Sequence, residues 1–136
     1  MSDARLALMA AIHGRLAADP ALVALLGGPR IYDRIPRGAA FPFVTFGATD
    51  ALAADSDDAP MTEHRIELEV LSRAYGRKEA GEIAARLVAL LDDVPLAPAG
   101  HRLVSVRHVR TTLRPERDRQ SYRAVVFFRA LTEPSA

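Results

Sequence analysis

The side chains of this sequence able to do chemistry are few and widely spaced. His13, His64, His101 and His108 form no H-E-x-x-H pair. His101 and His108 are seven apart in a β-rich run, which puts them on opposite faces of a regular strand. We read all four as surface or half-buried ring donors rather than as a metal set. Asp55, Asp57 and Asp58 bring carboxylates close together, but the glycine and distal glutamate of a calcium loop are missing. They read as a solvated loop, or as an acidic loop facing a lumen, where it would repel the phosphates of passing DNA. Arg114, Arg117 and Arg119 carry guanidinium groups suited to phosphate or carboxylate. Glu116 and Asp118 alternate with them and no aromatic residues interleave, so the turn reads as a protein-contacting or solvated loop more than as a nucleic-acid platform. No G-x-x-x-x-G-K-[ST], G-x-G-x-x-G or G-x-S-x-G pattern occurs, and zero cysteines leave no thiol nucleophile, disulfide or cysteine zinc site. We expect no catalytic residue, no cofactor and no metal.

The elements that position these residues belong to a chain of 136 residues, 49% hydrophobic and 26% charged, for which one domain, 1–136, is the expectation. No apolar run approaches the roughly 20 residues of a bilayer span, and the start has no signal-peptide character, so neither membrane nor secretion is expected. The near-neutral total hides a polarity. Residues 1 to 100 hold 10 Arg/Lys against 14 Asp/Glu, net −4, and residues 101 to 136 hold 8 against 3, net +5. Such polarity suits contact between copies of one chain, with a neighbour, or with an anionic partner.

Leu6, Met9, Ile12 and Leu16 predict a helix over about Asp3 to Ala18. Asp19-Pro20 restarts the pattern as cap and first helical residue, and Gly27-Gly28 stops it two turns later. The run Phe43 to Thr49 predicts a strand, and 50–60 a loop. Ile66, Leu68 and Val70 alternate with Glu67 and Glu69 in the clearest strand, Thr62 to Ser72. Ala80, Ile83, Ala84, Leu87, Leu90 and Leu91 share one face of a helix between Gly76 and Asp92, with Glu82 and Arg86 spaced to pair. Two β-rich runs, His101 to Leu113 and Ser121 to Leu131, predict a long C-terminal hairpin. Within it, Val104 and Val106 fall in one phase and Val109 and Leu113 in the other, which predicts a bulge near Arg107-His108. The order implies an α+β fold: a mainly antiparallel sheet packed with helices, two of them N-terminal and one between strands.

The last strand is apolar on both faces. Tyr122, Ala124, Val126, Phe128 and Ala130 point one way, and Val125, Phe127 and Leu131 the other, beside Arg123 and Arg129. Either the three helices divide between the two faces, or a partner covers one of them. Burying Phe127 against a neighbour would stabilise association by roughly 1.5–3 kcal/mol.

The whole-chain pattern resembles the small tail-completion, or tail-terminator, proteins of long-tailed bacteriophages and gene transfer agents. The likeness runs from about Leu6 to Glu133. It is carried by Leu16-Ala17-Ala18-Asp19-Pro20 with Leu25-Leu26-Gly27-Gly28; by Arg30-Ile31-Tyr32-Asp33 with Ile35-Pro36; and by Phe41-Pro42-Phe43-Val44-Thr45. It continues in the stretch from His64 to Arg73, in Gly100-His101-Arg102-Leu103-Val104, and in the stretch from Phe127 to Glu133. The order and spacing of these pieces carry the resemblance, not any one of them. It implies an α+β subunit of a hexameric ring at the head-proximal end of a tail tube, without catalytic residues. Such a ring ends tube growth and joins the tail to a head connector, or stopper, with DNA passing through the lumen unbound. The implied place is the head-tail junction of a particle assembled in the bacterial cytoplasm. Arg114, Arg117, Arg119, Val125, Phe127 and Leu131 are the expected subunit or partner contacts. Two other readings stand beside it: a nucleic-acid-binding module using the basic C-terminal third, and a small enzyme with a site no motif reveals.

Overall fold

The computed structural model describes residues 3–55 and 60–135. Helix α1 spans Ala4–Ala17, with the Asp3 carboxylate accepting the Arg5 N–H at its start. Helix α2, Pro20–Leu26, begins on Asp19, whose side chain accepts the Leu22 N–H at 2.8 Å. It stops at Gly27, which takes a left-handed φ of 79° while the Gly27 and Gly28 amides return to the Ala24 and Val23 carbonyls. That is a Schellman stop, and glycine adopts it without steric cost. Arg30 adds a cation there, donating to the Leu26 carbonyl at 2.8 Å and the Phe41 carbonyl at 3.0 Å.

Strands β1 (Ile31–Tyr32), β2 (Phe43–Ala53), β3 (Thr62–Ser72), β4 (His101–Pro115) and β5 (Tyr122–Pro134) form one sheet in the order β1-β2-β3-β5-β4. Helix α3, Lys78–Leu91, lies between β3 and β4. Every pairing is antiparallel except the short parallel contact of β1 with β2. The α+β fold, the two N-terminal helices, the helix between strands and the C-terminal hairpin therefore stand as expected.

All three helices pack on one face of the sheet. Leu8, Ile12 and Leu16 of α1, Leu22 and Leu26 of α2, and Ile83, Leu87 and Leu91 of α3 meet Val44, Ile66, Leu68, Val70, Val106, Val126 and Phe128 in one core. Buried leucines of this kind contribute about 1.5–3 kcal/mol each. The expected alternative in which helices divide between the faces is not what forms. His64 and Thr132 are also buried on the helix side, joined by a 2.9 Å hydrogen bond between Nε2 and Oγ1.

Three details depart from the sequence reading. Strand β2 continues past Thr49 to Ala53, because Asp50, Ala51 and Leu52 pair with Arg65, His64 and Glu63 of β3. Arg86 does not pair with Glu82; it forks onto Asp19 at the start of α2, at 2.6 and 2.8 Å, while Glu82 lies 3.9 Å from Lys78. The β4 irregularity falls at two places, Leu103/Ser105 and His108/Arg110. Val104 and Val109 are the extra residues, so Val106 and Leu113 both return to the helix side, opposite Ala130 and Ala124.

Candidate assembly surface

With every helix on one side, no described helix covers the other face of the sheet. At its β2 end Phe41 and Tyr32 pack on Phe43, and Phe43 and Thr45 are buried there, while the rest is left to solvent or a partner. Its side chains follow from strand alternation. β3 supplies Glu63, Arg65, Glu67 and Glu69, β5 supplies Arg123, Val125, Phe127, Arg129 and Leu131, and β4 supplies arginines. Cross-strand register puts Glu69 opposite Val125, Glu67 opposite Phe127 and Glu63 opposite Leu131. The charges largely neutralise each other within the face. Arg129 reaches Glu63 at 2.7 Å, and Arg123 bonds both Glu69 and Glu116 of the hairpin. The guanidinium of Arg129 holds the Glu63 carboxyl below its ordinary range. Gly47, at the bulge in β2, leaves room for these acids: a Cβ there would stand 2.6 Å from a Glu69 carboxylate oxygen.

The three apolar residues expected at an interface all lie on this face. Val125 is 9% exposed in the single chain, already covered by its neighbours. Phe127 is half-buried, with the Arg110 guanidinium 4.1 Å from its ring centroid, and Leu131 is half-buried. Around Phe127 the face is concave, a recess of about 390 Å³ bounded by Asp50, Glu67, Val109, Arg110 and Arg129.

Arg114, Arg117 and Arg119 gather at the hairpin tip, at the end of the sheet where β3 leaves. All three are exposed, and none has a carboxylate partner among the described residues. The turn is held from inside: Asp118 accepts the Ser121 and Gln120 backbone N–H groups and the Ser121 hydroxyl, which lowers its carboxyl below the ordinary range. Arg119 takes a left-handed φ of 59° in that turn. Beside the tip is an open recess of about 510 Å³ whose walls include Arg114, Arg117, Arg73 and Phe41. Arg73 stacks over Phe41 at 4.2 Å.

The other arginines of the last third are engaged. Arg102 pairs with Glu133, Arg107 with Asp92 at 3.3 Å, Arg123 and Arg129 with the glutamates above, and Arg110 with the Phe127 ring. The unpaired basic character of residues 101–136 is thus reduced, in three dimensions, to the hairpin tip and Arg110. Sequence reasoning missed these pairings because all but Arg123–Glu116, seven apart across the turn, join residues distant in the chain; the alternating Glu63, Glu67 and Glu69 were the visible half of the signal.

The acidic loop begins at the opposite end of the sheet, where Ala54 donates to the Met61 carbonyl at 2.9 Å. Asp55 accepts the Met61 N–H at 3.2 Å. Asp57 and Asp58 lie outside the described residues. Tip and loop are separated by the length of β3, roughly 33 Å at 3.3 Å per residue.

No group of three or more metal-ligating side chains converges among the described residues. His13 contacts the Ile31 carbonyl at 3.1 Å and His108 the Thr111 hydroxyl at 2.8 Å. No described helix is by itself long and apolar enough to cross a membrane.

No curated protein sequence matches this chain. Among solved structures, a chain described as "Virion of native gene transfer agent (GTA) particle" superposes with a TM-score of 0.89 at 28% identity, covering 98% of this chain and 99% of the other. The profile of the family described as Tail completion protein gp17 matches residues 10–133. That match takes in both recesses, nearly all of the hairpin, α2, α3 and the second half of α1, so the chain belongs to the tail completion protein gp17 family and is a structural tail protein.

Proposed function

We propose that this protein acts by stoichiometric binding in the tail of a phage-like particle. Copies form a ring, six by the family resemblance, at the head-proximal end of the tail tube. The ring stops tube polymerisation and joins the tail to the head connector, while DNA passes through its lumen without specific binding. The observation that carries this reading is the family match over residues 10–133, together with a sheet face that no helix of the same chain covers. Val125, Phe127 and Leu131 on that face, and Arg114, Arg117 and Arg119 at the tip, are offered to neighbours in the particle. Asp55, with Asp57 and Asp58 in sequence, is offered at the other end of the sheet or to the lumen.

The basic tip and the acidic loop are too far apart to neutralise each other within one copy, so each is available to a different neighbour. The arginine pairing described above weighs against a duplex-binding module, since only the tip and Arg110 are left to meet phosphate.

The test is polymerisation of purified tail tube protein with and without this chain. We expect tubes of limited length, capped at one end, when the chain is present. Unchanged length distributions would reject the proposal.

A further inference from the structure

The sheet has two edges that are open over part of their length. β1 covers β2 only at Val44 and Thr45, so Phe46 to Ala53 has one strand neighbour among the described residues. β4, 15 residues long, has β5 on one side and no strand on the other among the described residues. There the turn after α3 holds its middle: the Asp93 N–H donates to the Val106 carbonyl at 2.8 Å, and the Asp92 carboxylate accepts the His108 N–H at 2.8 Å, so that the open part is Arg110 to Pro115. Open edges in soluble proteins are ordinarily blunted with charge, proline or bulges. β4 carries two of these devices, bulges and arginines, yet both bulges place a valine at the edge: Val104 is 40% exposed and Val109 57%. Leu52 on the β2 edge is 38% exposed. Beside that same edge, Leu6, Met9 and Phe46 line a recess of about 310 Å³ between α1 and β2, and Leu6 is 63% exposed. The sheet thus has apolar side chains on two opposite edges, where no fold of a single copy brings them together.

Resting on the ring reading above, we infer that the junction between copies is edge to edge, with β4 of one copy antiparallel to the uncovered stretch of β2 in the next. Strand direction permits it. β2, β3, β5 and β4 alternate in direction across the sheet, so a rotated copy presenting β2 to β4 continues the alternation unbroken. Charge favours it as well. Arg102 and Arg107 are already paired with Glu133 and Asp92, but Arg110 and Arg114, on the regular stretch of β4, have no carboxylate partner among the described residues, and β2 carries Asp50 and no base. Pairing two different edges makes a heterologous contact, which closes into a ring when the rotation closes, and closure removes both open edges. The bulges leave β4 regular over Arg110 to Pro115, long enough for a ladder, and add the local twist that a curved sheet needs. This junction takes Val109 and Asp50 at the rims of the face and Arg114 beside the tip, and leaves Phe127, Leu131, Arg117 and Arg119 to other partners.

The absence of cysteine gives a direct test. Two double variants, Leu52→Cys with Val104→Cys and Leu52→Cys with Val109→Cys, are oxidised at rising protein concentration, alone and with purified tail tube protein. Native mass spectrometry of the same samples reports the assembly. We expect at least one pair to give a covalent ladder ending at the ring species. Leu25→Cys with Tyr75→Cys, exposed but off both edges, should give none. Val109→Asp, at an exposed position, should keep the monomer folded and abolish the ring. Rings that form without any edge crosslink, or that survive Val109→Asp, overturn the edge junction and leave the ring reading standing. Monomers under every condition overturn both.

Discussion

Removing the Thr132 hydroxyl isolates a single interaction in the core. His64 and Thr132 are each 1% exposed, and their 2.9 Å hydrogen bond is the partner each ring or hydroxyl group has in place of water. Thr132→Val keeps the shape and deletes the oxygen, leaving the imidazole Nε2 buried without a partner. A stranded buried polar group costs about 1–3 kcal/mol. Unfolding entropy near 2.1 cal/mol/K per residue gives about 0.29 kcal/mol/K for a chain of 136 residues, so Tm should fall by roughly 3–10 °C. Replacing both partners, His64→Leu with Thr132→Val, should recover most of that loss, because an apolar pair needs no hydrogen bond. Burial also pushes the His64 imidazole below its ordinary value of 6.5, with the positive neighbourhood of His101 adding to the effect. The folded state therefore holds this ring neutral. Its contribution is present above pH 6.5 and is lost as pH falls toward the depressed value, since the unfolded chain takes up the proton first. Thermal unfolding followed by circular dichroism between pH 5.5 and 7.5 should show the wild type losing stability toward acid and the double variant losing less. A Thr132→Val protein that melts within 1 °C of wild type, or a double variant worse than the two singles combined, would refute the reasoning.

Other outcomes follow from the same geometry. Arg114→Glu with Arg117→Glu and Arg119→Glu should leave Tm nearly unchanged, within about 0.5 kcal/mol of stability, because these exposed side chains have no carboxylate partner; pull-down with particle neighbours should weaken. Phe127→Asp should fold, and should weaken partner binding by at most about 1.5–3 kcal/mol, an upper bound because the ring is already half covered. Asp19, Glu63, Asp92 and Asp118 all have lowered carboxyl values, held respectively by Arg86, Arg129, the His108 N–H and the Ser121 N–H. Their stabilisation is full above the ordinary carboxylate range and disappears as pH falls through the lowered values, so a second, steeper loss is expected below about pH 4 in the same melts. Duplex DNA should bind weakly in a mobility-shift assay; tight saturable binding that collapses with salt would restore the nucleic-acid reading.

Period and punctuation in the sequence carried most of the fold. Ile66, Leu68 and Val70 alternate because one face of β3 meets helices, and Asp19-Pro20 with Gly27-Gly28 bracket α2 because caps are local chemistry. What was hidden depends on partners distant in the chain. Asp50 to Ala53 has no strand signature of its own and is extended only because β3 pairs with it. Arg86 had Glu82 at helical spacing, yet the Asp19 carboxylate offers a fork with two hydrogen bonds, the stronger geometry. The candidate surface was half legible. Val125, Phe127 and Leu131 could be put on one face by alternation, but the Arg110 stack on Phe127 and the glutamates of β3 required the register of three strands. Leu52 falls in the stretch that reads as a loop, and Val104 and Val109 read as ordinary strand residues; only the strand pairing puts all three at edges.

The central claim is that this chain is a building piece whose activity is assembly. Native mass spectrometry of the purified protein, titrated with tail tube protein, tests it most directly. The account predicts a discrete closed oligomer, six copies by the family resemblance, that binds the tube in fixed stoichiometry. A protein that stays monomeric at all concentrations and never joins the tube would contradict it.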